Sequence, residues 1–238
     1  MHILAISDVV DPLLYDYFDP DNWRGRVDLV ISCGDLDKTY LEFLVTELEV
    51  PLLYVPGNHD AAYREDPPEG CESIDGRVCE MGGLRIAGIG GSLNYNSGPD
   101  KFQYTERQMT WRLRRLGWRA MRTRGIDLVV SHAAPHLNDS ALDAKDEAHR
   151  GSIAFERYIE RHHPRWWLHG HNHLYDCRVP RISKLDQTVV INAFGHYILD
   201  TAVPIGGVKA LTPRRSTRKI GGERVVSQEV EHHLGVRG

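Results

Sequence analysis

The sequence predicts an α/β fold in which the ends of several buried strands share one polar rim. Two observations carry this. Short apolar runs alternate with segments of helical periodicity, the pattern of β-α-β units with parallel strands and right-handed crossovers. Five runs also stop at an Asp, Asn or His: Ser7-Asp8 follows Ile3-Leu4-Ala5-Ile6, Gly34-Asp35 follows Leu29-Val30-Ile31, Asn58-His59-Asp60 follows Leu52-Leu53-Tyr54-Val55 and Pro56-Gly57, Ser131-His132 follows Leu128-Val129-Val130, and Gly170-His171-Asn172-His173 follows Trp166-Trp167-Leu168. Pro56 to Asp60 alone is more often an ordinary turn with an Asx hydrogen bond. Its recurrence at strand after strand points to a built site.

The elements follow in order. His2 to Ser7 is the first strand, Asp11-Pro12 opens a short helical or irregular piece through Phe18, and Leu29 to Cys33 is the second strand. Leu41, Leu44, Val45 and Leu48 form a helical stripe between Lys38 and Val50, which Pro51 stops. Residues 61–76, rich in Pro, Gly and acids, read as an irregular loop beside the site. Arg77 to Met81 and Leu84 to Gly88 flank Gly82-Gly83, a two-residue hairpin signal. Ile89-Gly90-Gly91-Ser92 then starts a long loop holding Asn94, Tyr95 and Asn96. Thr105 and Gln108 make a capping box for a helix with Met109, Leu113, Leu116 and Ala120 on one face. Its other faces carry Arg107, Arg112, Arg114, Arg115 and Arg119, with Arg122 and Arg124 beyond, a surface that is usually only solvated and otherwise suits an anionic partner. After the strand ending at His132 come a polar loop through Arg150, a helix from about Ser152 to His162, and the strand that Pro164 introduces. Thr188 to Asn192 and His196 to Leu199 are closing strands joined through Gly195.

At 238 residues and 27.1 kDa, with 41% hydrophobic and 26% charged residues, the chain fits one globular domain able to bury a core unaided. A net charge of -4 gives no global pull toward nucleic acid or a membrane, and no membrane segment is visible. The chain runs straight into a strand without signal-peptide features, so the expected location is cytoplasmic. In that compartment Cys33, Cys71, Cys79 and Cys177 are buried or free thiols, a Cys71–Cys79 bridge being the alternative. From Pro204 the composition turns to Gly and basic residues. Seven basic against three acidic side chains after residue 200 leave +4, so 204–238 reads as a mobile or partner-ordered extension of a 1–203 domain, and RNA or an acidic surface is a conceivable partner.

The rim offers Asp8, Asp35, Asn58, His132, His171 and His173 with His59 beside them, a carboxylate, amide and imidazole set that suits Mn, Fe or Zn better than a structural thiolate site. This ordered set closely resembles the calcineurin-like metallophosphoesterase family. Its motifs are Asp-x-His, Gly-Asp, Gly-Asn-His-Asp or Glu, a His after a strand, and Gly-His-x-His. Four of the five blocks stand in order over residues 1 to about 200. The resemblance implies the metallo-dependent phosphatase fold, a four-layer α/β/β/α sandwich of two mixed sheets flanked by helices. It also implies two divalent ions. Asp35 would bridge them, Asn58, His132 and His171 completing one site and Asp8 and His173 the other. A hydroxide held between the ions would attack phosphorus, His59 assisting the leaving oxygen and Asp60 orienting His59.

The first block departs from the pattern. Val10 stands where the family has a metal-binding His. Water could fill the gap, Asp11 or Asp37 could substitute, or the site could stay empty; three protein ligands suffice for many catalytic metals, which favours the first. Asp11 before Pro12 also reads as a turn or cap residue. Further candidates are His149 and Arg150, which could meet a phosphate, and Asn94 and Tyr95, which could line a substrate pocket. His136, His162, His163 and His169 read as non-ligands. The expected activity is hydrolysis of a small or nucleotide-like phosphodiester or phosphomonoester. The alternatives are a nuclease, with the Arg-rich helix and tail as phosphate track, and a non-catalytic scaffold that kept the fold. Nothing in the sequence fixes the oligomeric state.

Overall fold

The computed structural model describes residues 1–95, 102–120, 125–137, 149–175 and 179–203. Asn96, Arg122, Arg124, Cys177 and the 204–238 extension lie outside these residues, as do the side chains of Arg119 and Ala120. The chain begins with β1 (His2–Ser7), a 3-10 turn at Pro12–Leu14, α1 (Pro20–Trp23), β2 (Leu29–Ser32), α2 (Lys38–Leu48) and β3 (Leu52–Tyr54). Then come β4 (Glu72–Ser73), β5 (Val78–Met81), β6 (Leu84–Ile89), β7 (Ser92–Leu93), β8 (Gln103–Tyr104), α3 (Glu106–Ala120) and β9 (Leu128–Ser131). α4 (Ile153–His162), β10 (Trp166–His169), β11 (Ile182–Leu185), β12 (Thr188–Asn192) and β13 (Gly195–Asp200) complete it.

Local chemistry sets the boundaries. Asp37 caps α2 by accepting the Thr39 amide, and Glu49 ends it in the left-handed region ahead of Pro51. The Thr105–Gln108 box is reciprocal: Gln108 Oε1 accepts the Thr105 amide, and Thr105 Oγ1 accepts that of Gln108. Glu106 caps a different helix, its carboxylate accepting the amides of Ile153 and Ala154 at the start of α4. Gly82 and Gly83, at φ 57° and 78°, make the β5–β6 turn.

Two mixed sheets form, ordered β13-β1-β2-β3-β4 and β11-β12-β10-β9-β6-β5, with β7-β8 as a small third. β1, β2, β3 and β4 run parallel and β13 antiparallel to β1; β12, β10, β9 and β6 run parallel, bounded by antiparallel β11 and β5. Because both faces of the central strands are covered, β2, β3, β9, β10 and β12 are buried along their whole length, whereas β5, β11 and β13 at the sheet edges are only partly buried. Alternate residues separate three cores. Ile3, Ala5, Leu29 and Ile31 meet Leu128, Val130, Trp166 and Leu168 between the sheets. Leu4, Ile6, Val30 and Leu52 pack outward on Leu41, Leu44 and Leu48 of α2. Val129, Trp167 and Val190 pack on Met109 and Leu113 of α3 and Phe155 and Ile159 of α4. This is the four-layer sandwich. Each fully buried aliphatic side chain is worth roughly 1.5–3 kcal/mol, so the central layer holds the sheets together and their strand ends beside one another.

Three expectations change. The 61–76 stretch is not wholly irregular: Ala61–Arg64 is a 3-10 helix, and Glu72–Ser73 pairs with β3 as β4. The strands either side of Gly195 belong to different sheets, β12 beside β10 and β13 on β1, so the chain crosses between layers there. Arg112 does not lie on a solvated face; it turns inward to Asp75, the Gly90 carbonyl and the ring of Tyr104. Cys33, Cys71 and Cys79 are free thiols, without the Cys71–Cys79 bridge. Among the described residues no helix is long and apolar enough to cross a membrane.

Candidate metal centre

The five chemical strand ends come from both sheets, β1, β2 and β3 on one and β9 and β10 on the other, and the backbone is built to bring them together. Asp8, Asp35 and His171 adopt φ of 67°, 56° and 64°, a region that costs a non-glycine residue about 1 kcal/mol or more. Glycines permit the approach. A Cβ on Gly57 would stand 2.0 Å from Asp35 Oδ1, and one on Gly170 would stand 1.9 Å from Ser7 Oγ and 2.7 Å from Asp8 Oδ2. Glycine is therefore required at both positions by contact alone.

Asp35, Asn58 and His132 converge. His132 Nε2 lies 3.2 Å from Asp35 Oδ2 and 3.1 Å from Asn58 Oδ1, while its Nδ1 donates to the Cys33 carbonyl at 2.8 Å. That carbonyl can only accept, so it fixes a proton on Nδ1 and leaves Nε2 as the nitrogen that could ligate once it carries no proton of its own. Ligand atoms of Asp35, His132 and His171 lie within 4.8 Å of one another. A carboxylate oxygen, an amide oxygen and imidazole nitrogens around one buried point require positive charge between them, so the donor set fits a divalent cation. With no ion between them, Asp35 and His132 set each other's charge. Burial pushes the Asp35 carboxyl up, but His132 and the amide of His59 outweigh it and bring it to about 2. Burial pushes His132 down, yet the Asp35 charge prevails and lifts it to about 9.

Asp8 and His173 stand on the other side of His171. The His171 amide donates to both Asp8 oxygens, at 3.0 and 3.1 Å, and His173 Nε2 is 3.7 Å from Asp8 Oδ1. Hydrogen bonding to Asp8 raises the His173 imidazole above its ordinary value. Asp8, Asp35, His59, Tyr95, His149, His171 and His173 line one open cleft of about 250 Å³. His149 lies over the two histidines, its ring 4.9 Å from His171 and 5.9 Å from His173. Tyr95 reaches Asn58, whose Nδ2 is 3.2 Å from the phenol oxygen.

Other expected site residues sit elsewhere. Asp60 Oδ2 accepts the amides of Asp35 and Gly57, buried turn amides that need an acceptor, and no bond from Asp60 to the His59 side chain stands among the described hydrogen bonds. Asn94 is exposed outside the cleft, its amide tied to the Tyr104 carbonyl alongside the β7–β8 pair, and Arg150 is exposed where Gly151 packs on Pro135 and His136. Asp11 and Asp37 are engaged as caps, Asp11 also binding His196. His136 pairs with Glu156 and His163 with Asp186, while His169 is buried, pushed down to about 4, and bonded to the Gly170 carbonyl. Sequence reasoning missed Tyr175 and Phe194, whose rings lie 5.5 and 5.2 Å from His173. Tyr175 stands two residues beyond the Gly-His-x-His block, a local signal; Phe194 comes from a crossing between sheets and left none.

The family model described as calcineurin-like phosphoesterase matches residues 1–175. The protein TT1561 of Thermus thermophilus is similar at 19% identity and a TM-score of 0.58, over 84% of this chain and 93% of that one. Another crystal structure reaches a TM-score of 0.61 at 16% identity, over 84% and 95% of the two chains. A protein described as a novel archaeal phosphodiesterase, 16% identical over 85% and 94%, superposes at only 0.43, which carries no argument. At these identities the likenesses concern the fold alone. No curated protein matches the chain.

Proposed function

The chain belongs to the calcineurin-like phosphoesterase family, and from that premise we propose that it is a metal-dependent phosphoesterase for a small or nucleotide-like phosphodiester or phosphomonoester. The observation that carries the reading is the convergence of Asp35 Oδ2 and Asn58 Oδ1 on His132 Nε2, at 3.2 and 3.1 Å, beside His171. Asp35, Asn58, His132 and His171 would hold one divalent ion and Asp8, Asp35 and His173 a second, and ions there would supply charge neutralisation at phosphorus and acidify water. His59, exposed in the cleft with its amide anchored to Asp35 Oδ1 at 2.8 Å, presents its imidazole to the leaving oxygen and gives it a proton. Tyr95 and His149 bound the space a phosphate occupies and offer donors to its oxygens.

The test is hydrolysis of bis(p-nitrophenyl) phosphate by metal-stripped protein titrated with Mn²⁺, beside a His59→Ala variant. Metal-dependent turnover that falls by about 10²-fold or more in the variant is expected, the scale of one general acid. Absence of turnover with Mn²⁺, Fe²⁺, Zn²⁺ and Ni²⁺ alike would overturn the reading.

A second reading, a scaffold that kept the fold, is favoured by one observation: Val10 cannot ligate, and Asp11 and Asp37 are committed to caps. Val10→His separates the two. If the native site is degraded, the new imidazole raises turnover and the affinity for a second ion. A site adapted to three protein ligands gains nothing.

A further inference from the structure

The outward face of α3 carries a feature that the phosphoesterase reading does not use. Trp111 and Trp118 are 57% and 79% exposed, although Met109, Leu113 and Leu116 of the same helix are buried. At 100° per residue, Arg107, Trp111, Arg114, Arg115 and Trp118 fall within one arc opposite the buried face. All five are exposed, and Arg115 stacks over the Trp111 ring with its guanidinium carbon 4.8 Å from the centroid. The helix holds one acidic residue, Glu106, whose carboxylate is spent capping α4. Two indoles one above the other, roughly 10 Å apart along the axis, thus stand among three arginines with no acid of the helix on their face.

We propose that this face of α3 binds single-stranded nucleic acid, the bases stacking on Trp111 and Trp118 and the phosphates meeting Arg107, Arg114 and Arg115. Interleaved rings and guanidinium groups match a strand in which bases and phosphates alternate, and stacking on an indole needs bases that are not already stacked in a duplex. A lipid surface fits the pattern less well. A helix lying on a membrane presents a wide apolar face flanked by basic residues. Here Arg114 lies in the same stripe as both indoles, and Met109 and Leu113 of the helix are committed to the core, with Leu116 buried as well. The inference goes beyond the phosphoesterase reading and does not depend on it, because binding needs neither metal nor turnover.

The experiment is fluorescence anisotropy of a 5′-fluorescein-labelled 20-mer of uridine with metal-stripped, full-length protein, so that cleavage cannot intervene. Saturable binding is expected, weakening with salt at a log–log slope of about −2, the value for three phosphate contacts on a single strand. Trp111→Ala with Trp118→Ala should weaken it at least about tenfold, and Arg114→Glu with Arg115→Glu should abolish it at physiological salt. Both pairs are exposed substitutions, and unchanged far-UV circular dichroism and bis(p-nitrophenyl) phosphate turnover would show that the fold and the cleft are untouched. No binding, binding that both double variants retain, or binding of phosphatidylserine-containing vesicles in place of the oligonucleotide would each overturn the proposal.

Discussion

One oxygen of Asp60, Oδ2, accepts the amide hydrogens of both Asp35 and Gly57, at 2.8 and 2.7 Å, and so ties the ends of β2 and β3 together directly beneath the candidate metal ligands. Asp60 is 6% exposed, and burial, with the nearby Asp35 charge, pushes its carboxyl up to about 6 against the pull of the two amides. Because a single oxygen does the work, a neutral amide can replace it. Asp60→Asn should therefore change unfolding free energy by no more than about 1 kcal/mol and leave most Mn²⁺-dependent activity. Asp60→Ala strands two amides without an acceptor and should cost about 2–4 kcal/mol. Urea denaturation and a turnover assay on the pair test this. An Asp60→Asn variant that is stable yet inactive would return the residue to the role of acidic partner of His59.

Gly170 separates ligand geometry from stability. A methyl group there collides with Ser7 Oγ and Asp8 Oδ2, so Gly170→Ala must move the β1 end away from the β10 end. The expected cost is about 1–3 kcal/mol of overpacking together with a loss of roughly tenfold or more in Mn²⁺ affinity, the scale of disturbed ligand support. Gly83→Ala is the control. It strains a left-handed turn at φ 78° with nothing within 4 Å of the new atom, far from the cleft. Melting temperature should fall in both variants, and calorimetric Mn²⁺ affinity in Gly170→Ala alone.

What the sequence made legible was what local rules govern. The strand ends at Asp8, Asp35 and His132, the Gly82-Gly83 hairpin and the Thr105–Gln108 box each depend on neighbours within a few residues. β4, β7 and β8 have two residues each, too short for any period to register, and they exist because β3 or one another offers a pairing edge. The separation of β12 from β13 into different sheets likewise turns on tertiary pairing with β10 and β1. At the site, residue types were legible because metal chemistry limits them. Asp60's partners were not, since they lie across a turn and on another strand. Nor was the inward turn of Arg112, which a helical wheel of arginines hides until Asp75 is placed opposite.

Arg85 and Asp127 give a pH dependence whose sign is fixed. Arg85 Nε and one terminal nitrogen each lie 2.7 Å from an Asp127 oxygen, and the Arg85 amide adds a third bond at 3.0 Å. These donors hold the Asp127 carboxyl below its usual value despite partial burial. An acid depressed in the fold binds fewer protons folded than unfolded. Its contribution is therefore present above the unfolded value of about 3.9 and is lost as pH falls through the lower folded value. Asp127→Asn should lose about 1 kcal/mol at pH 7, the pair being partly solvated. The gap between variant and native protein should then shrink below pH 4. Urea midpoints across pH 2–7 measure it, and a gap that widens on acidification would contradict the assignment.

Tyr95 tests how the cleft handles substrate. Asn58 Oδ1 faces His132 Nε2 and the point where a cation would sit, so its Nδ2 is left to donate to the Tyr95 oxygen 3.2 Å away. A phenol that accepts this bond has its own proton free to turn into the cleft that Tyr95 lines. Tyr95→Phe removes both the acceptor for Asn58 and the donor toward a phosphate oxygen while keeping the ring. Stability should move by about 1 kcal/mol or less, because the ring stays and Asn58 keeps its other partner. KM for a phosphodiester should rise about tenfold, one hydrogen bond to a charged group, with a smaller change in kcat. Mn²⁺ affinity, measured by calorimetry, should fall only a few-fold, since Oδ1 rather than Nδ2 would be the ligating atom. A variant with unaltered KM would show that the hydroxyl serves Asn58 alone, and a collapse of Mn²⁺ affinity with KM intact would make Tyr95 a support for the metal rather than a contact for the substrate.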